Sequence, residues 1–526
     1  GGAVAQNTTT GQVIGHVSDP DGQPVARAAV KVGERVVAVT DKNGNFTLTK
    51  LPAGTRAVTI SYIGMKSIKT SVSSTMNVTM EWDNANLDEV MVVAYGTAKK
   101  SSFTGSAATI KAEDINKLQV ANPVEGLRGR VSGVQIYGTS GRPDGGSPSI
   151  RIRGISSINA GNAPLIIVDG APYGGDLASI NQQDIETFSV LKDAASAALY
   201  GARGANGVII ITTKRTRSNH GARVTFDSKW GVNQVAQQRY ETVRDAATYY
   251  EVYHRALRNE SLYENLNEKG KFKLGDEKAA YEFANKNMQE RLGYMVYTLP
   301  EGQNLILENG KLNPAAKLGS VVKGEDASGN PTEYTLLPDD WYALAYRPSL
   351  RQEYNLTVAK GNDNSNIYFS MGYLDNKGIL ENTDFKRMTA RLKADWAAKD
   401  WLNFNTNISY TNSKTHDVGG EGDSRNSGSV FAFVNGIAPI YPAYLRDGKG
   451  NVMVDNLGYT RYDYGNKGLL PMERPFLTFG NPLSQNALNY SGNQVHTLHA
   501  NVGADVDLGK GFKFVTNNTL YIIANR

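Results

Sequence analysis

Nucleophilic and metal chemistry both need particular side chains brought together, and those side chains are scarce here. The chain has 526 residues and no cysteine, which excludes thiol catalysis, Cys-ligated zinc and disulfide staples. Of the histidines, His16, His220, His254 and His416 are scattered, while His496 and His499 lie three apart. In a strand that spacing turns the two rings to opposite faces, so they cannot chelate one metal as a helical pair does. There is no G-x-S-x-G nucleophile elbow, and an enzyme is not expected. Residues 201 to 207 read Gly-x-x-Gly-x-x-Gly, a spacing that can cradle phosphate. Phosphate loops open a helix, whereas this one leads into the strand-like 208 to 212, so close packing is the reading. Asp417, Glu421 and Asp423 in a Gly-rich stretch form a candidate Ca²⁺ set, with a solvated loop as the simpler alternative, and no cofactor is expected. Trp341, Tyr342, Tyr346, Phe431, Phe433, Tyr441, Tyr444, Tyr462 and Tyr464 offer a different chemistry, since aromatic rings stack on the faces of sugars while their polar edges stay wet. Trp341, Tyr342, Tyr441, Tyr444, Tyr462 and Tyr464 are the substrate-binding candidates among them, against the alternative of loop packing.

The net charge of +5 arises from nearly matched cations and anions, without a polybasic tract, so nucleic acid is not an expected partner. No apolar run approaches the ~20 residues that a membrane helix needs. Transmembrane β-strands escape that test, because they are ~10-residue stretches of alternating polarity.

Such stretches fill the chain from about residue 216. Leu402, Phe404, Ile408 and Tyr410 share one strand face, and Asn403, Asn405, Asn407, Ser409 and Thr411 the other. Leu498, Ala500, Val502, Ala504, Val506 and Leu508 repeat the pattern against Thr497, His499, Asn501, Asp505 and Asp507. Four further faces are Val224, Phe226, Trp230 and Val232; Tyr354, Leu356 and Val358; Ile367, Phe369, Met371 and Tyr373; and Met388, Ala390, Leu392, Ala394 and Trp396. A water-soluble sandwich alternates too, but the connections discriminate. They run very long (236 to 348), tight (361 to 365), medium (376 to 384), tight (397 to 400), long (412 to 493) and tight (509 to 511). Short turns on one side and extended loops on the other mark a transmembrane barrel. About seven strands are expected, and because unpaired strand edges in lipid cost several kcal/mol per group, the sequence is expected to be part of a larger barrel.

Ahead of the barrel, residues 11 to 82 read as a small β-sandwich, with strands at 13 to 17, 29 to 32, 36 to 40, 46 to 48 and 57 to 62. Turn clusters rich in Gly and Pro at 19 to 22, 41 to 44 and 51 to 54 separate them. Residues 1 to 10 form a tail in which Ala3-Val4-Ala5 reads either as the end of a secretory signal peptide or as a plain disordered terminus. Residues 83 to 100 contain a strand-prone run without a nearby partner strand, or alternatively an edge strand of the sandwich. Residues 101 to 215 are a glycine-rich α/β segment with strands at 134 to 137, 149 to 152, 164 to 168 and 208 to 212, and helical stretches at 112 to 117, 123 to 128, 184 to 191 and 194 to 200. Arg151 and Arg153 share a face of a short strand, and ion pairing with wall carboxylates is favoured over capture of a free anion.

Three separated motifs carry a resemblance. Ser149-Ile150-Arg151-Ile152-Arg153-Gly154, Pro164-Leu165-Ile166-Ile167-Val168-Asp169-Gly170, and Lys192-Asp193 followed by Leu199-Tyr200-Gly201-Ala202-Arg203-Gly204 resemble, in order, the SusC-like TonB-dependent outer-membrane transporters of Bacteroidetes. Residues 11 to 82 resemble the carboxypeptidase-regulatory-like domain found in front of many such proteins, through their D-x-x-G-x-F turn and S-Y-I-G-M ending. The resemblance implies a mainly β protein: an N-terminal β-sandwich, an α/β plug domain, and part of a multi-pass antiparallel barrel that has 22 strands in the family and a plugged lumen. It implies that Leu87-Asp88-Glu89-Val90-Met91-Val92-Val93 is the TonB box, departing from the commonest form at Met91 and Ala94. An extended segment of that kind adds to a partner domain as a strand. Implied too are TonB energised by ExbB and ExbD, a SusD-like surface lipoprotein, a periplasmic N-terminal domain, and active import of an oligosaccharide. Oligopeptide import and a barrel-anchored adhesin or receptor are the alternatives.

Overall fold

Runs rich in valine, isoleucine and threonine favour the pleated, half-buried surface of a sheet over a helix, and they set the architecture from the start of the chain. This computed structural model describes residues 13–526 apart from 21, 34, 50, 52–54, 63–64, 82–89, 94–95, 100–106, 138–140, 147, 155–160, 193–197, 217–220, 237–238, 240, 264–274, 363, 418–429, 479 and 490. The chain divides into two compact units, residues 1–106 with 198–200, and residues 107–197 with 201–526.

In the first unit, seven strands follow one another: β1 (Val13–Ser18), β2 (Ala29–Val32), β3 (Arg35–Val39), β4 (Asn45–Leu48), β5 (Ala57–Ser61), β6 (Ile68–Ser71) and β7 (Thr75–Thr79). They form two sheets, ordered β4-β1-β7 and β3-β2-β5-β6, around Val17, Val30, Phe46, Val58, Ile60 and Met80. The expected turns at 19 to 22 and 41 to 44 are Asx-stabilised: Asp19 Oδ1 accepts the Gln23 amide at 2.8 Å, and Asp41 Oδ1 accepts those of Asn43 and Asn45 at 2.8 and 2.9 Å, while the one at 51 to 54 lies almost wholly outside the described residues. Strands β6 and β7 escape the sequence reading because each carries only one or two apolar residues. The stretch that reads as partnerless has a partner three residues on. Strand β8 (Val90–Val93) pairs antiparallel with β9 (Gly96–Lys99), as a two-stranded sheet separate from both sandwich sheets.

The second unit begins with β10 (Ala107–Lys111) and α1 (Ala112–Asn116), and a 3-10 turn follows at Pro123–Leu127. Next come β11 (Val134–Tyr137), β12 (Ser149–Ile152), β13 (Leu165–Val168), β14 (Ala171–Pro172), β15 (Ile185–Leu191) and β16 (Val208–Thr213). The plug sheet runs β10-β15-β16-β13-β14, with β13 and β16 parallel, and β11 and β12 form a separate ribbon. Residues 184 to 191 are thus a strand where a helix was expected. Strand β15 is the sheet's second strand, with Phe188, Val190 and Leu191 all buried, so its apolar run lacks the alternation of a half-exposed strand. The expected helix at 194 to 200 falls partly outside the described residues, and Ala198–Gly204 is an irregular 3-10 stretch broken at Gly201.

Seven long strands then form one antiparallel meander: β17 (Arg223–Asn233), β22 (Ser349–Gly361), β23 (Ser365–Lys377), β24 (Asp384–Lys399), β25 (Leu402–His416), β26 (Gly492–Gly509) and β27 (Phe512–Asn525). Tight turns and long loops alternate between them as the connections predicted. The sheet's polarity is inverted relative to that of a water-soluble protein. Phe226 and Trp230 are 66% and 62% exposed, and Met371, Leu392 and Ile408 also face outward, whereas Arg351, Asn355, Arg391 and Thr411 on the other face are 3–6% exposed. A sheet with water outside buries its apolar face; this one suits hydrocarbon outside and a polar filling within, as part of a transmembrane barrel.

The long loops are themselves folded, which the sequence reading did not anticipate. The loop after β17 holds α2 (Ala246–Tyr263), α3 (Glu277–Leu292), four short strands, β18 (Tyr297–Thr298), β19 (Lys317–Leu318), β20 (Ser320–Glu325) and β21 (Pro331–Leu336), and α4 (Trp341–Ala345). It shares a core of Tyr250, Tyr294, Tyr334 and Leu336 with Ile440 and Tyr441 from the loop after β25.

Candidate functional site

The plug meets the inner face of the wall through buried polar side chains, and the β24 sequence arranges this. Arg387, Thr389, Arg391 and Lys393 alternate with Met388, Ala390 and Leu392, so at period two every polar residue points inward. Plug residue Asp169, which follows β13 at φ +47°, receives most of that charge. Its carboxylate accepts from Lys393 Nζ at 3.2 Å, Asn407 Nδ2 at 2.6 Å, the Thr213 amide at 2.9 Å and Thr213 Oγ1 at 2.5 Å, and it lies 3.6 Å from an Arg391 guanidinium nitrogen. Burial alone would raise the Asp169 pKa; Lys393, Arg391 and the Thr213 hydrogen bonds outweigh it and hold the group down at about 2. Arg391 Nε also lies 3.6 Å from Asp184 of the plug, whose carboxylate accepts the Tyr368 hydroxyl at 3.2 Å.

Toward the long-loop end, Arg387 donates to the carbonyls of Ala121, Ala178 and Ile180 at 2.6–3.1 Å, and Asn181 donates to Asn355 Oδ1 at 2.8 Å. Near the rim, Asn376 Nδ2 donates to the Pro143 carbonyl at 2.6 Å, and Arg142 bridges Asp144 and Asp417. Buried polar groups are costly unless paired; the pairs named here join plug to wall and so fix the plug's seat. Gly372 permits a close approach, because a Cβ there would collide with Asn181 and would meet Thr389 Oγ1 and Asn355 Oδ1 at 2.7 and 2.8 Å. Gly372→Ala is therefore expected to cost about 1–3 kcal/mol by overpacking, read as faster trypsin cleavage of the plug in the folded protein.

Between plug, wall and loops lies a cavity of 1240 Å³. Its floor is the plug around Ala121 and Arg142, its side the wall around Asn233 and Asn376, and its roof the loop residues Arg239, Trp341, Tyr342 and Phe431. The size exceeds the ~300–1,000 Å³ of small-molecule sites.

The residues singled out in the sequence separate accordingly. Trp341 and Tyr342 line the cavity, but Trp341 is only 2% exposed, its indole N–H donating to the Tyr441 carbonyl at 2.9 Å. Tyr441 is fully buried and donates to the Leu292 carbonyl, so it is loop core and has no ring face to offer a ligand. Tyr444 and Tyr462 pack on each other at 5.5 Å between ring centroids, and Tyr464 donates to or accepts from Ser484; none of the three lines the cavity. Arg151 lies 5.7 Å from the Tyr137 ring and makes no ion pair among the described residues, while Arg153 sits past the strand end at φ +58°. The expected pairing of these two with wall carboxylates is therefore not what the structure shows; β12 pairs with β11 in a ribbon, and the wall contact falls to Asp169, Asp184 and Arg142 instead. Gly154 and Gly170 take φ of +98° and +87°, turns that only glycine makes without strain. Lys192 Nζ donates to Ser132 Oγ at 3.2 Å, Tyr200 is half-buried, and Asp193 lies outside the described residues. Gly201 and Gly207 take φ of +60° and +88° beside the exposed Arg203 and buried Gly204, and they lead into β16 as read. His499 faces the plug and His496 stacks with Tyr410 on the other face. Leu87, Asp88 and Glu89 lie outside the described residues, as do Glu421 and Asp423, while Asp417 is paired with Arg142. Among the described residues, no cluster of His, Cys, Asp or Glu is placed to hold a metal.

Residues 99–208 match the TonB-dependent Receptor Plug Domain family, and residues 12–87 match the Carboxypeptidase regulatory-like domain family. The TonB-dependent receptor SusC of Bacteroides thetaiotaomicron is 29% identical over 455 residues, covering 85% of this chain and 37% of that protein. A TonB-dependent receptor of Formosa agariphila is 28% identical over 525 residues, covering 97% of this chain and 44% of that protein. The solved structure of the RagAB peptide importer in its closed-closed state has the same fold, with a TM-score of 0.56 at 22% identity over 81% of this chain and 41% of that one. The chain thus spans less than half the length of these relatives. It is a homologue of the SusC-like TonB-dependent receptors, with their carboxypeptidase regulatory-like and plug domains preceding the strands of an antiparallel wall.

Proposed function

We propose that this protein works in the bacterial outer membrane as a TonB-dependent importer of oligosaccharides, with the N-terminal unit in the periplasm and a SusD-like lipoprotein capping the long-loop end. The observation that carries the reading is the inverted sheet, whose apolar side is exposed while its polar side is bonded to a plug. A plug held by polar contacts closes the pore at rest and leaves when pulled, because its bonds exchange for bonds to water rather than for exposed apolar surface. The handle is Leu87 to Val93. Strand β8 within it has one edge paired to β9 and the other without a strand partner among the described residues, a geometry that accepts an added strand from TonB. ExbB and ExbD then supply the energy, and no catalytic residue is required. The sugar assignment rests on likeness to SusC and on aromatic side chains at the cavity.

Oligopeptide import is the second reading, favoured by the shared fold with the RagAB peptide importer. Deleting the gene and growing the strain on defined glycans or on peptides as sole carbon source separates the two. Loss of growth on a glycan alone supports the sugar reading, and loss on peptides alone overturns it.

A further inference from the structure

The charges around the cavity are unequally committed. Among its acids, Asp339 is held in a bidentate pair by Arg446 at 2.6 and 3.0 Å and also accepts the Ala443 amide. Asp340 caps α4 by accepting the Tyr342 and Ala343 amides, both at 3.1 Å. Glu125 is partly withdrawn from solvent, and that burial pushes its pKa up, toward the uncharged form. Of the cations, Arg142 is committed to Asp144 and Asp417, and the others are freer. Arg244 and Lys377 line the same cavity and have no acidic partner among the described residues. Arg239 reaches Asp340 only at 3.7 Å, beyond hydrogen-bonding distance, and its guanidinium lies 4.3 Å from the centroid of the Tyr342 ring. Tyr342 in turn packs on Tyr346 at 4.8 Å, a tilted contact that braces the platform.

A guanidinium spread on an aromatic ring keeps its N–H donors at the edge of the stack, pre-set for a planar or tetrahedral oxyanion. A neutral sugar would leave two further cations without counter-charge and Arg239 with only its long ion pair to Asp340, whereas an anionic one engages all three. We infer that the ligand of this cavity is an acidic oligosaccharide, whose carboxylate or sulfate group is received by Arg239 on the Tyr342 platform, with Arg244 and Lys377 supplying the surrounding positive field. This rests on the oligosaccharide reading above and narrows it to a charge class.

The test is binding of the purified protein to an array carrying uronate-bearing and sulfated glycans, their carboxyl-reduced and desulfated counterparts, neutral glycans and acidic peptides. Wild-type, Arg239→Gln and Arg239→Lys proteins are compared at equal resistance to trypsin, which shows that each is folded. The expected result is binding of one acidic glycan class, lost when its carboxylates are reduced or its sulfates removed. Arg239→Gln should weaken that binding about 10- to 100-fold, as loss of a charged hydrogen-bonding pair does, and Arg239→Lys should recover part of it. Which counterpart abolishes binding tells carboxylate from sulfate. Binding of neutral glycans as tight as that of acidic ones overturns the inference and leaves sugar import standing. Binding of acidic peptides alone overturns both, and acidic-glycan binding unaffected by Arg239→Gln removes Arg239 from the site.

Discussion

Asp169→Ala is expected to loosen the plug from the wall by about 3–5 kcal/mol, the scale of breaking a buried ion pair from one side. The variant leaves Lys393 and Arg391 facing each other across the lost carboxylate, and it deprives Asn407 Nδ2 and the Thr213 amide of their acceptor. Hydrogen exchange of the amides in β13 and β16, which flank the site, should rise by roughly 10²- to 5 × 10³-fold, because exchange reads the free energy of local opening. Unchanged exchange would mean that the contact does not seat the plug. The pH dependence has a definite sign. The carboxyl has an ordinary value of 3.8 and is depressed to about 2 in place, so its contribution is complete above pH 4 and fades as pH falls toward 2. Protection in β13 and β16 should follow that course in the wild type, and the Asp169→Ala protein should lack this component.

Removal of Leu87 to Val93 is expected to reduce uptake to the level of a strain lacking the gene, with surface abundance and ligand binding retained. The effect is all-or-none because the segment is a handle: nothing else in the reading transmits force to the plug. A gentler variant makes the same point through the backbone, since Val92→Pro removes an amide donor from strand β8 and hinders strand addition. Radiolabelled ligand uptake, set against surface binding, separates the two activities. Undiminished uptake would point to a barrel-anchored receptor or adhesin instead.

The wall was legible because hydrocarbon imposes a rule on sequence: every second residue must be apolar, and turns must be brief on one side. The faces through Phe404 and Ile408, and through Met388 and Leu392, obeyed it and are exposed as expected. The same alternation held a signal that went unused. Arg387, Arg391 and Lys393 place three cations on one face of β24, and such a row needs acids or carbonyls opposite it; their partners Asp169, Asp184 and Ala178 are more than 200 residues away in the chain, too far for local pattern to join. Asp169 itself stood out only as part of a motif, without its role. Strand β15 was misread because burial on both faces erases periodicity. The loop aromatics divided for a tertiary reason: Tyr441 and Tyr294 find backbone or carboxylate partners for their hydroxyls inside the loop core, whereas Tyr342 remains at the cavity.

The most direct test of the inverted sheet uses the absence of cysteine, which makes single-cysteine labelling clean. Spin labels placed at Met371, Leu392 and Ile408, and separately at Ser370 and Thr389, are measured in a lipid bilayer for collision with oxygen and with a water-soluble nickel complex. The first three should collide with oxygen and be shielded from nickel, as lipid-facing sites are. The other two should be immobile and shielded from both by the plug. Nickel collisions at Met371, Leu392 and Ile408 equal to those of a water-exposed loop site would contradict the account.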